Sequence, residues 1–192
     1  MNREYIDNFL EETRAIVESL DRDAIQKMIE IIARTKDKGG RLFILGVGGS
    51  ASNASHAVND FRKIAGVESY TPIDNVSELT ARTNDEGFET VFVKWLETSR
   101  LRDADAVMVF SVGGGTEDTS KNLVMAMEHA KKVGASIVSV VSRDGGAARK
   151  MSDACVLVPV VSHERITPHA ESWQAIVWHL VVNAMSNGIG AK

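Results

Sequence analysis

Gly46, Gly48, Gly49 and Ser50 follow the apolar run Leu42-Phe-Ile-Leu45 and precede small residues that favour a helix start. A strand feeding a glycine turn and then a helix presents bare backbone N–H groups at the positive end of a helix dipole. The chemistry of such a turn is anion binding, usually of phosphate. Two turns later the same helix carries His56 and Asp60, four residues apart and therefore on one face. One short segment thus joins an anion cradle to a pair of reactive side chains. Taken alone, such a pair is ordinarily a salt link on a solvated helix face.

A second turn, Ser111-Val-Gly-Gly-Gly-Thr116, repeats the theme at another strand end. Ser111, Thr116 and the backbone of Gly113, Gly114 and Gly115 can donate to a phosphate. Two such turns at one sheet edge argue for an anion site more strongly than either does alone. Neither turn is a nucleotide motif. Ala51 stands where Gly-x-Gly-x-x-Gly needs its third glycine, and no Gly-Lys-Ser/Thr follows. Two further residues lie near the end of the chain. Glu171 is by itself a first-turn helix carboxylate, and His179 in an apolar stretch is by itself an ordinary core histidine.

The chain must supply elements to hold these residues. Its 192 residues suit one domain, with 44% hydrophobic and 25% charged residues, an ordinary globular balance. The net charge of −4 gives no electrostatic case for a nucleic-acid or membrane partner. Cys155 is the one cysteine, so an intrachain disulfide is impossible and a reducing compartment is expected. The residues from Arg3 onward lack a signal-peptide core, and no run approaches the ~20 apolar residues of a membrane span. The expected location is cytoplasmic.

Residues 3–38 read as two helices with apolar stripes, the second ending at Gly39-Gly40. They precede the first strand and so form an extension whose stripes need a partner, such as another subunit's helix. Strands are expected at 42–45, weakly at 68–73, and at 106–111, 136–142 and 154–161. Helices are expected after 50, from 76, over 88–96, from Thr116, after Gly146 and from Pro168 to about 185. This alternation predicts an α/β fold with a parallel sheet of about five strands flanked by helices. Right-handed crossovers then bring both glycine turns to one sheet edge.

With Gly46-Val-Gly-Gly-Ser50, His56, Asp60, Asn84-Asp85, Gly87-Phe88, Ser111–Thr116, Asp144-Gly-Gly146, Glu171 and His179 assembled, the chain resembles the sugar isomerase (SIS) fold family. Within it the likeness is to bacterial phosphoheptose isomerases and covers nearly the whole chain. The resemblance implies a single SIS domain over 1–192 with a helical extension at 1–38 used in oligomerisation. It implies a homotetramer with active sites at subunit interfaces, no nucleotide cofactor, and one zinc per subunit on His56, Asp60, Glu171 and His179. The implied reaction is conversion of sedoheptulose 7-phosphate to a manno-heptose 7-phosphate. Ser50, Ser111, Gly113–Gly115 and Thr116 would take the phosphate, and Asn84, Asp85 and Glu171 the rest of the substrate.

Proton transfer would fall to Asp60, His179 and Glu171, with Glu171 the better base if Asp60 is a tight metal ligand. The chain departs from the family in carrying Asp60 for a glutamate, Glu171 for a glutamine, and Val112 and Gly113 for hydroxyl residues. Other readings are a non-catalytic SIS protein that binds a sugar phosphate or a replication initiator, or the same isomerisation on another sugar phosphate. One geometric point concerns the ligand set. Residues 171 and 179 are about 12 Å apart along a straight helix. Two ligands of one zinc need donors about 3–4 Å apart, so either the helix start deviates or these two serve one site from different subunits, and the tetramer that the resemblance implies favours the second.

Overall fold

The computed structural model describes residues 2–186. Five parallel strands form one sheet: β1 (Leu42–Leu45), β2 (Ser69–Tyr70), β3 (Ala106–Phe110), β4 (Ser136–Val141) and β5 (Ala154–Leu157). Their order is β2-β1-β3-β4-β5. Eight helices surround it among the described residues: α1 (Asn2–Ser19), α2 (Arg22–Asp37), α3 (Gly49–Lys63), α4 (Val76–Glu86), α5 (Val91–Thr98), α6 (Lys121–Val133), α7 (Gly146–Met151) and α8 (Ile166–Ser186). The central strands are buried on both faces, which is why they read as continuous apolar runs rather than alternating ones.

The two-residue period of a strand divides the core. Leu42, Ile44, Met108, Phe110 and Val140 face α2, α3 and α8 in one cluster. Phe43, Leu45, Val107, Val109 and Ile137 face α5, α6 and α7 in the other. The chain leaves β1 for β2 on one side and returns to β3 on the other. The crevice beyond the ends of β1 and β3 is therefore a topological switch point, the usual ligand position in open parallel sheets. Both glycine turns leave from these two strands.

Several boundaries differ from the sequence expectation. The weak strand at 68–73 shrinks to Ser69–Tyr70, because Pro72 lacks an N–H and begins a short 3₁₀ turn. β5 stops at Leu157, two residues before Pro159. The helix expected from Thr116 starts instead at Lys121. Residues 116–120 close a turn in which the Thr116 N–H donates to the Thr119 carbonyl, and Ser120 adopts a left-handed conformation. The polar break expected at Asn84-Asp85-Glu86-Gly87 reduces to Gly87, since α4 continues through Glu86. α8 starts two residues before Pro168, which still lies in the first turn where its missing N–H costs nothing.

α2 has the expected Asp21 cap, whose carboxylate accepts from the Ala24 N–H at 3.0 Å. α1 is attached differently. Ile16 is its one fully buried residue, while Tyr5, Ile6, Leu10 and Val17 remain exposed. Phe9 stacks on His169 at 4.5 Å, and Glu12 accepts from the Arg165 Nε at 2.8 Å, with His169 Nε2 also 2.8 Å away. The Arg165 hydrogen bonds lower the Glu12 pKa from 4.5 to about 2 against the opposing effect of desolvation. A carboxyl depressed in the folded state stabilises it above the unfolded pKa and stops doing so as pH falls through the folded one. The stabilising share of Glu12 is therefore complete above about pH 4.5 and lost between there and about pH 2. Thermal melting of Glu12→Gln should lie below that of the native chain at pH 6, and the two should converge near pH 2.

Candidate active site

Three loops build a glycine-lined cavity at the sheet edge, the candidate anion cradle. Val47, Ser50, Ser111, Val112, Gly113, Gly115, Thr116, Thr119, Ser120, Arg143 and Asp144 line a cavity of about 310 Å³ beyond the ends of β1, β3 and β4. Ser50 opens the first turn of α3 and is almost wholly buried. The Ser111 hydroxyl oxygen accepts from the Gly114 N–H at 3.0 Å, and that of Thr116 accepts from the Thr119 N–H at 3.0 Å. Each hydroxyl uses a lone pair to hold its own loop and keeps its proton to donate elsewhere. The loops after β3 and β4 lock together backbone to backbone. Ala147 and Ala148 donate to the Gly115 and Gly114 carbonyls at 2.9 Å each, and a Cβ on Gly114 would stand 1.9 Å from the Gly145 oxygen. No side chain fits there, which accounts for the glycines on both loops.

The reactive side chains lie on two helices that run in parallel. Asn53 on α3 donates to the Glu171 carbonyl at 2.9 Å and to the Gln174 side-chain oxygen at 3.0 Å on α8. Further along, the His179 Nε2 on α8 is 3.8 Å from the Asp60 Oδ2, and the His56 Nε2 is 4.0 Å from the same oxygen. Donor atoms of these three residues all fall within 4.8 Å of one another. His179 Nδ1 contacts the Ala175 carbonyl at 2.7 Å. A carbonyl only accepts, so Nδ1 carries a proton and Nε2 is the ring nitrogen that faces Asp60 and His56. Asp60 also accepts from the Asn59 amide at 2.8 Å.

His179 is thus not the core histidine its apolar surroundings suggest. Its side chain is 47% exposed, and that of His56 is 58% exposed, whereas Asp60 is largely covered at 13%. Buried Trp178, with its ring edge-on to His56 at 4.7 Å, backs the cluster. Sequence reasoning passed over Trp178, although its place beside His179 in an apolar stretch was a usable signal.

Glu171 lies elsewhere. Its carboxylate rests over Gly49, where a Cβ would meet it at 2.4 Å, at the cradle end of the α3–α8 pair. Within one chain the set His56, Asp60, Glu171 and His179 is therefore not assembled around one point. The eight-residue helical interval keeps Glu171 back, as its axial rise requires. Asn84 and Asp85 lie exposed on the last turn of α4, hydrogen-bonded to each other at 2.7 Å and outside the glycine cavity. Thr119, Ser120 and Arg143 also line the cavity, although the sequence reading did not place them in the site. Arg143 lies two residues beyond β4, so the rule that ligands bind at strand ends could have found it.

A parallel sheet with two glycine turns at its switch point, and a His–Asp–His cluster on the helices beside it, defines the class: an open α/β domain with a ligand crevice at its sheet edge. The chain belongs to the SIS domain family, whose model matches residues 4–142. It is 33% identical over 184 residues to the lincomycin biosynthesis protein LmbN of Streptomyces lincolnensis, spanning 90% of this chain and 65% of that protein. It is 28% identical over 191 residues to the phosphoheptose isomerase of Helicobacter pylori strain P12, spanning 96% and 95% of the two chains. The phosphoheptose isomerase GmhA of Neisseria gonorrhoeae superposes with a TM-score of 0.82 at 24% identity, covering 96% of this chain and 98% of that one. These likenesses agree with the fold expected from the sequence. Among the described residues, no helix is long and apolar enough to cross a membrane.

Proposed function

We propose that this protein is a cytoplasmic aldose–ketose isomerase of sugar phosphates, with sedoheptulose 7-phosphate as the preferred substrate and a manno-heptose 7-phosphate as product. The observation that carries this reading is the placement of the phosphate cradle and the His56–Asp60–His179 cluster on one helix pair. α3 rises about 9 Å from Ser50 to the level of His56. A substrate anchored by its phosphate at Ser50, Ser111 and Thr116 must extend along that helix to bring a carbonyl to Asp60. An elongated sugar phosphate meets this requirement. The near-full-length likeness to phosphoheptose isomerases supports the same substrate class.

Asp60 abstracts the proton beside the carbonyl, and His179, whose Nε2 faces it, exchanges protons with the substrate oxygens. Glu171, at the cradle end, is the second candidate base. The donor set of two imidazoles and a carboxylate suits zinc, with the His179 tautomer already fixed by Ala175. His56, Asp60 and His179 would hold it, with Glu171 as a further ligand from a neighbouring subunit. The ion would supply polarisation of the substrate carbonyl.

The active protein is a homotetramer with sites at subunit interfaces, and α1 and α2 serve assembly. Exposed Ile6, Leu10 and Val17 on α1, with Ile176 and Leu180 beside the exposed His179, support that arrangement. The test is incubation with sedoheptulose 7-phosphate in deuterated water, followed by NMR. A new aldose phosphate, with any solvent deuterium beside its carbonyl, is the expected result. Binding without exchange or product would assign the site to a sensor instead. A second reading, the same isomerisation on another sugar phosphate, is favoured by the likeness to a lincomycin biosynthesis protein and by the hydroxyl-poor turn at Val112-Gly113. A panel of sugar phosphates in the same assay separates the two.

A further inference from the structure

We infer that Arg143 is the charge partner of the substrate phosphate and replaces by electrostatics the hydroxyl donors that the Val112-Gly113 turn lacks; the inference rests on the sugar-phosphate reading of the cavity. Arg143 and Asp144 are the charged residues that line the cavity. The Asp144 carboxylate accepts from the Gly146 N–H at 3.1 Å and is engaged with its own loop. Among the described residues Arg143 forms no ion pair, whereas Arg3, Arg14, Arg41, Arg82, Arg102 and Arg165 do. Its guanidinium is available and stands at the cradle.

Arg62, which also lacks a carboxylate partner, is held instead by the Ser69 carbonyl at 3.0 Å and the Tyr70 ring. The backbone of Arg143 is placed deliberately. Its φ of +56° lies in the left-handed region, which a branched-off L side chain rarely adopts. The conformation is held by the Gly145 N–H on the Ser142 carbonyl and by the Ser142 N–H on the Val112 carbonyl, both at 3.0 Å. It lays the side chain across Gly113, with Cδ and Nη1 each 3.9 Å from where a Cβ on that residue would stand. That is ordinary van der Waals distance, so the guanidinium lies directly against the turn that lacks the hydroxyls. The loops are already braced to each other, so the guanidinium is presented by a rigid frame, and its fork geometry suits bidentate phosphate contact.

The test uses Arg143→Asn and Arg143→Gly, since both residues accept the left-handed backbone and the fold is kept. Binding of inorganic phosphate to the intact protein is followed by phosphorus NMR, with Lys150→Gln as a surface-charge control. The expected result is at least tenfold weaker binding in both Arg143 variants and unchanged binding in the control. With sedoheptulose 7-phosphate, KM should rise by a similar factor while kcat holds, and Arg143→Lys should recover part of the loss. Native-like phosphate affinity in Arg143→Asn would overturn the role of Arg143 and leave the sugar-phosphate reading standing. Failure of the native protein to bind phosphate or any sugar phosphate would overturn both.

Discussion

Asp60→Asn is expected to lower turnover of the sugar phosphate by about 10²–10⁴-fold, the usual contribution of a positioned general base. The amide matches the carboxylate in size, and its oxygen can still accept from Asn59, which now contacts Asp60 at 2.8 Å. It cannot take up a proton. The two histidines approach the Oδ2 side of Asp60 at 3.8 and 4.0 Å, so the substitution also removes the negative charge they share. Zinc affinity measured by competition with a chelator should fall alongside activity. Circular dichroism and sedimentation should be unchanged, because the amide fills the same volume and Asp60 belongs to neither apolar cluster. His179→Ala should follow the same pattern. Full activity in either variant would remove that residue from the proposed mechanism.

Asp105→Ala carries the largest expected effect on stability. The Asp105 side chain is fully buried just before β3 and accepts from the Arg41 N–H at 2.9 Å, the Arg41 Nη2 at 2.7 Å and the Arg102 N–H at 3.0 Å. Arg41 precedes β1, so this carboxylate joins the entrances of the two central strands. The Asp105 hydrogen bond raises the Arg41 pKa further, and the guanidinium stays charged whatever happens to its partner. Removing the carboxylate strands a partly buried cation and two backbone donors. Breaking a buried pair in this way costs about 3–5 kcal/mol, a large share of the roughly 5–15 kcal/mol that holds a domain folded. The urea midpoint should fall accordingly. Asp105→Asn, which keeps an acceptor, should lose less, and a loss below about 1 kcal/mol for Asp105→Ala would mean that the pair is not what secures these strands.

The glycine turns were legible in the sequence because their chemistry is local. A strand, a glycine turn and a helix start specify a cradle whatever packs around them, and both turns lie at the switch point as expected. His56 and Asp60 were legible for the same reason, since helical spacing alone puts them on one face. Helix boundaries at Thr116 and Asn84 were misplaced where a turn and a helix compete on similar polar residues. Arg143 was missed because its place just beyond a strand end marks only the sheet edge and not what its side chain meets there. Its position over Gly113 arises only when the loops after β3 and β4 interlock.

Sequence by itself determined the α/β class, the parallel sheet, the two glycine turns at strand ends and the distance that separates Glu171 from His179 on one helix. Each of these follows from the fixed periods of strand and helix and from the conformational needs of glycine. Tertiary structure alone decided that His179 meets Asp60 and His56, that Glu171 rests against Gly49, and that α1 leaves its apolar stripe uncovered. Those outcomes depend on the parallel alignment and register of α3 against α8, and on which surfaces of α1 the rest of the chain can reach. Contacts between residues more than a hundred positions apart are set by packing of whole elements, and no local spacing encodes them.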